Sequence, residues 1–176
     1  MMEMTLKIKE MQIGNTNLPK IELKAGEILR MQFSNIENYN NILSKINTSF
    51  FDREVINVQL WAEKDENIVF VEDWFNRHAK KDSFIKEMNL TGQEKFHELP
   101  KPYKTIVCLK HILENEIHPI VIGTAGMHIF NLTQTYGLLN SFLKNGGVCI
   151  EITYPTMADN EFIDVLGVVP NVITIK

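Results

Sequence analysis

The residue types that could support chemistry in this chain fall into a few short stretches. Gly123-Thr124-Ala125-Gly126 follows the apolar run Pro119–Gly123 (PIVIG). A turn of small residues at the carboxyl end of a buried parallel strand is where α/β folds bind ligands. The same pattern also reads as a tight strand-to-helix turn that needs a positive φ. Glu151 stands inside VCIEIT, alternating with Val148, Ile150 and Ile152. A buried carboxylate there needs a partner, whereas one on an exposed sheet side does not. With the 123–126 turn, Glu151 is the candidate general base of a small-molecule site.

The remaining candidates are weaker. His111 and Glu114 fall three apart on a helical segment, and His118 lies beyond them. That spacing admits a metal in principle. A solvated helix edge and a loop histidine are the favoured reading, so no metal is expected. His97-Glu98 lies in a polar connection and reads as surface. Cys108 and Cys149 sit inside apolar runs, where a free cysteine acts as a small hydrophobe. The basic residues Arg77, His78, Lys80 and Lys81 are interleaved with Glu72, Asp73 and Asp82, which predicts a mixed solvated face. Lys101 and Lys104 form the other basic pair. The aromatic residues Trp61, Phe70, Trp74 and Phe75 read as core, with a partner patch as the second reading.

The elements that must position these residues follow from periodicity. Residues 5–13 and 19–24 alternate apolar and polar, and Glu27–Phe33 (EILRMQF) reads as a third strand. The turn clusters 14–17 and 25–26 between them predict an antiparallel section over 1–35. Residues 36–46 carry Ile36, Tyr39, Ile42, Leu43 and Ile46 at helical spacing, with Ser34 and Asn35 as candidate N-caps. Residues 55–61 and 68–71 read as a hairpin, and 73–98 as a polar, partly helical connection of undetermined function. Pro100 and Pro102 mark a break. From 103 the pattern is regular: a helix over 103–115, the PIVIG strand and a helix over 131–144. Asn145-Gly146-Gly147 is its C-cap. The strand VCIEIT, a short helical turn at 162–166 and a last strand at 171–176 complete the chain. Strand, helix, strand is a right-handed βαβ crossover. The class is α/β in a single domain over 1–176, with a βαβ core over 103–176.

Composition bounds the function classes. The chain has 176 residues, 44% hydrophobic and 23% charged, with a net charge of −4, which is ordinary for a globular domain. An acidic balance argues against a general coat for nucleic acid. Two cysteines do not make a disulfide framework, so a reducing, cytoplasmic compartment is expected. No apolar run approaches the roughly 18 to 20 residues that cross a bilayer, and MMEMTLKIKE lacks the apolar centre of a signal peptide.

The order of these pieces resembles the ATP-binding cassette ATPases, the nucleotide-binding subunits of ABC transporters. LKIKEMQIG, LPKIEL and KAGEILRMQF are similar to the strands that lead to that family's P-loop. ELPKPYKTIVCLKHIL resembles its signature segment and the helix behind it. PIVIG stands where the Walker B strand belongs, and FLKNGGVCIEITYP looks like the strand leading to the switch histidine. The resemblance implies a P-loop NTPase-like sheet, with the antiparallel section at its N-terminus and a parallel βαβ core.

Against that family the chemistry is missing. A P-loop reads G-x-x-x-x-G-K-[ST], because glycines let backbone N–H groups reach the phosphates while lysine neutralises them. Here the stretch is Ser34 to Asn41. Tyr39 replaces a glycine, Asn40 the lysine and Asn41 the Mg²⁺-binding hydroxyl, and Glu37 would repel phosphate. Lys101 and Pro102 replace signature glycines, no carboxylate side chain lies within 117–130, and Tyr154 stands at the switch histidine. The spacing from P-loop to signature position is about half the family's, so much of a helical subdomain is missing. The resemblance therefore implies a non-enzymatic, cofactor-free subunit at degenerate positions Ser34, Tyr39, Asn40 and Asn41. Its expected partners are a second copy, an active ATPase subunit or a membrane permease, which would hold it peripherally at the membrane. The alternative is the ring-forming CRISPR adaptation protein that encircles DNA ends, similar over 104–154. It requires a basic inner surface that the Lys and Arg placement does not give. The third reading is a small-molecule enzyme at Gly123–Gly126.

Overall fold

A computed structural model describes residues 4–13, 15–34, 36–46, 48–63, 86, 88–91, 93–115, 118–154, 167 and 169–175. The strand predicted at 68–71, the short turn at 162–166, the candidate cap Asn35, and the basic and aromatic residues between 70 and 81 lie outside them.

The alternating N-terminal segment divides at Lys9-Glu10, where the apolar–polar alternation slips. It yields β1 (Leu6–Ile8) and β2 (Met11–Ile13). β2 turns back into β3 (Thr16–Leu18), and β1 pairs with β4 (Ile21–Leu23). Both pairs are antiparallel, with Leu6 opposite Leu23 and Met11 opposite Leu18. This is the expected antiparallel section, but it ends at β4.

β5 (Ile28–Phe33) does not join it. Its neighbours are β8 (Cys149–Thr153) and β9 (Asn171–Ile175), both parallel. The expectation of a third antiparallel strand fails for a physical reason. ILRMQF is buried along nearly its whole length, and a strand covered on both faces belongs inside a parallel sheet. β6 (Ile56–Asn57) and β7 (Ile120–Gly123) complete a five-stranded parallel sheet in the order β6-β7-β8-β5-β9.

Helices cover both faces. α1 (Ile36–Lys45) follows β5 as its spacing predicts. The predicted hairpin at 55–61 is corrected: after two strand residues the chain turns into α2 (Val58–Glu63). Asn57 is the cause. Its Oδ1 accepts from the backbone N–H of Gln59 (3.1 Å) and Leu60 (3.2 Å), an N-cap that outweighs the β propensity of VINV. α3 (Lys101–Asn115) starts beside Pro102, which is tolerated in a first turn. α4 (Ile129–Lys144) ends in a Schellman motif. There Gly147 N–H donates to Phe142 O (3.0 Å) and Gly146 N–H to Leu143 O (2.9 Å), with Gly146 at φ +87°.

Alternation along the strands sorts the core into two layers. Ile28, Ile120, Ile122 and Cys149 pack with Val58, Ile106, Leu109, Tyr136 and Leu139. Leu29, Met31, Val121, Ile150 and Ile152 pack on the opposite face with α1 and the N-terminal hairpins. Both cysteines are free and buried. Burial raises the Cys149 thiol well above its usual range, and the Glu151 carboxylate adds to this, while Arg30 opposes it. No described helix is long and apolar enough to cross a membrane.

Candidate functional site

The carboxyl ends of β5, β7 and β8 feed three segments into one place: the first turns of α1, the 123–127 turn, and Tyr154. The N-terminus of α3 closes the far side through Lys101, Pro102 and Thr105. Between them lies a cavity of about 260 Å³. Ligand crevices of open α/β sheets form at this end of the strands.

Tyr39 dominates one wall. Only 7% exposed, it lies over the end of β7. A Cβ built on Gly123 would stand 2.5 Å from the Tyr39 hydroxyl and 2.9 Å from Leu43 Cδ2. Gly123 is therefore required because α1 sits on it. The Ala125 backbone N–H hydrogen-bonds the Tyr39 hydroxyl, and the Tyr154 ring meets the Tyr39 ring edge-on with centroids 6.0 Å apart. Burial pushes the Tyr39 hydroxyl up to about 12, against the lowering effect of the Ala125 bond.

Gln59 forms the opposite support. Its amide nitrogen donates to Gly123 O (2.8 Å), and Gly123 N–H donates to its Oε1 (3.0 Å). The side chain thus continues the β6–β7 ladder beyond Asn57, where the backbone has turned helical. Sequence reasoning missed Gln59. Its signal is its place two residues after a capping asparagine, one turn from a strand end.

Directly behind the turn lies a closed polar cluster. Glu151 is fully buried and Arg30 is 2% exposed. Arg30 Nε donates to Glu151 Oε2 (2.8 Å), and Arg30 Nη2 to the Tyr136 hydroxyl (2.9 Å). The Tyr136 hydroxyl (2.6 Å) and Thr124 Oγ1 (2.7 Å) both donate to Glu151 Oε1. The exposed-side alternative for Glu151 is thus overturned, because it faces α4 in company with Cys149. Its carboxylate accepts these bonds inside the protein, and Glu151 is not among the described residues that line the cavity. Arg30 was also missed. An arginine in one apolar strand and a glutamate in another are the complementary signal.

The other candidates separate. Gly126, at φ +74° with open space beside it, is the turn glycine. Thr124 points into the buried cluster and Ala125 supplies its N–H to Tyr39. Ser34 and Asn40 are exposed, and Asn41 follows on α1. His111 is buried rather than on a solvated edge, because its face of α3 packs inward with Ile112. Glu114 pairs with Lys110 (2.8 Å). Among the described residues no group of three His, Cys, Asp or Glu side chains could hold a metal. His97 and Glu98 are exposed, as expected, and Glu98 pairs with Lys95 (3.0 Å).

No protein-family model matches the chain, and no curated protein matches it. Solved structures do. One is the ATP-binding subunit of an ABC transporter, with a TM-score of 0.52 and 13% identity over 86% of this chain and 80% of that one. Another is a putative ABC transporter ATP-binding protein from Pyrococcus furiosus, with a TM-score of 0.52 and 15% identity over 89% of this chain and 94% of that one. The fold is ABC ATPase-like, and the likeness extends well beyond the two ends of the chain that carry the sequence resemblance.

Proposed function

We propose that the chain is a non-hydrolysing subunit built on the ABC ATPase-like fold. It acts as a scaffold or regulatory partner of a second copy, of an active ATPase or of a membrane permease. One observation carries this reading: the Tyr39 side chain occupies the space between α1 and the end of β7, bonded to Ala125 and over Gly123. A phosphate-binding loop needs small residues and a cation at such a place, and here a phenol and Asn40 stand there. Supporting it, the stretch 118–130 offers no carboxylate to hold Mg²⁺, and Glu151, the one buried carboxylate among the described residues, is engaged by Arg30, Thr124 and Tyr136. Binding to a partner would then rest on shape and apolar contact.

The test is phosphate release from Mg-ATP by the purified chain, together with titration of a fluorescent ATP analogue and light scattering with and without an ATPase or permease subunit. The expected result is no release above the blank, no tight nucleotide binding and a mass above that of one chain. Turnover of ATP would overturn the reading.

A further inference from the structure

We propose that the cavity between the 123–127 turn and the start of α3 binds a small organic monocarboxylate. This does not rest on the scaffold reading. The argument begins with which lining groups are already engaged. Gln59 is consumed by the Gly123 backbone, and Thr105 Oγ1 donates to Lys101 O (3.0 Å). The Tyr39 hydroxyl accepts from Ala125 N–H and keeps its own proton to donate. By contrast, the Lys101 ammonium, the Asn40 amide and the Tyr154 hydroxyl line the cavity with no hydrogen-bond partner among the described residues.

The chemistry of that set is one-sided. Among the described residues of the lining, Lys101 is the one cation and none is an acid. An ammonium, an amide N–H₂ and phenolic hydroxyls together favour an acceptor-rich, singly charged group. The rest of the wall is apolar: Ile36, Pro102, Met127 and the tyrosine rings. A ligand must therefore carry a compact anion on an apolar body. Size limits it further. At about 30 Å³ per liquid water, 260 Å³ accommodates on the order of ten heavy atoms. That fits an aromatic or branched aliphatic acid.

Benzoate is the probe, titrated into the ¹⁵N-labelled full chain at moderate salt, with benzamide and inorganic phosphate as controls. Saturable shifts are expected at the amides of Gly123, Ala125, Gly126 and Met127. Lys101→Ala should weaken benzoate at least tenfold without altering the spectrum elsewhere. Benzamide, which keeps the ring and loses the charge, should bind at least tenfold more weakly. Unmoved amides, or equal affinity in Lys101→Ala, would overturn the proposal. Equal binding of benzamide would overturn the anion, and tighter binding of phosphate would overturn the apolar body. ATP turnover is unaffected by any of these outcomes, so failure here is distinguishable from failure of the scaffold reading.

Discussion

Arg30 and Glu151 are register partners on the adjacent parallel strands β5 and β8, and their side chains close a 2.8 Å ion pair out of contact with solvent. Cross-strand neighbours on the same face of a sheet are close enough for such contact. The pair is completed by Tyr136 from α4 and Thr124 from the end of β7. One carboxylate thus links the sheet, the helix above it and the turn that borders the cavity.

Breaking this pair from one side should be far worse than removing it whole. Arg30→Met leaves Glu151 buried without its counter-ion, and Glu151→Leu does the same to Arg30. Each should lower stability by about 3–5 kcal/mol in denaturant unfolding. The double replacement Arg30→Met with Glu151→Leu should recover most of that loss, because the desolvation penalty disappears with the charges. Additive losses would show that the two residues act separately.

Thr124→Val isolates the link to the turn. It removes one of three donors to Glu151 at nearly constant volume. The expected loss is about 1–2 kcal/mol, with amide shifts in the 123–127 turn. A stability loss without any shift in the turn would mean that Glu151 does not position it.

What the sequence made legible, and what it did not, divides by the range of the interactions involved. α1, β7, α4 and β8 were readable because each pattern is local: Ile42, Leu43 and Ile46 at helical spacing, or Ile120–Ile122 as an unbroken apolar run. The pairing of β5 was not, because its partners lie more than a hundred residues away and the nearby turn at Ala25-Gly26 imitates a hairpin. α2 was misread because Val55, Ile56 and Val58 are β-branched and favour a strand, while the deciding bond comes from the Asn57 side chain between them. Tyr39 was singled out by its position against the P-loop pattern, but its place over Gly123 is a tertiary contact that the pattern does not contain. The Arg30–Glu151 cluster was not, because neither residue is unusual until the strand order puts them side by side.

The contact between Gly123 and Tyr39 predicts a coupling. Gly123→Ala brings a methyl against the Tyr39 hydroxyl and Leu43, and overpacking of this kind costs about 1–3 kcal/mol. In a Tyr39→Leu background the hydroxyl is gone and the same substitution should cost at least about 1 kcal/mol less. A double-mutant cycle measured by urea unfolding gives the coupling. A value near zero would place the strain on Leu43 alone.

Tyr39 also sets an alkaline limit. Its hydroxyl ionises near 12 in the folded chain, against 10.0 when unfolded. Between those values the unfolded chain releases a proton that the folded chain keeps. Stability therefore stands in full below pH 10 and falls as pH rises toward 12, by about 1.4 kcal/mol per pH unit. Tyr39→Phe has no such proton. The stability difference between wild type and Tyr39→Phe should be constant from pH 7 to 9 and shrink above pH 10, as read from urea midpoints at each pH. A parallel decline in both proteins would assign the alkaline loss to groups other than Tyr39.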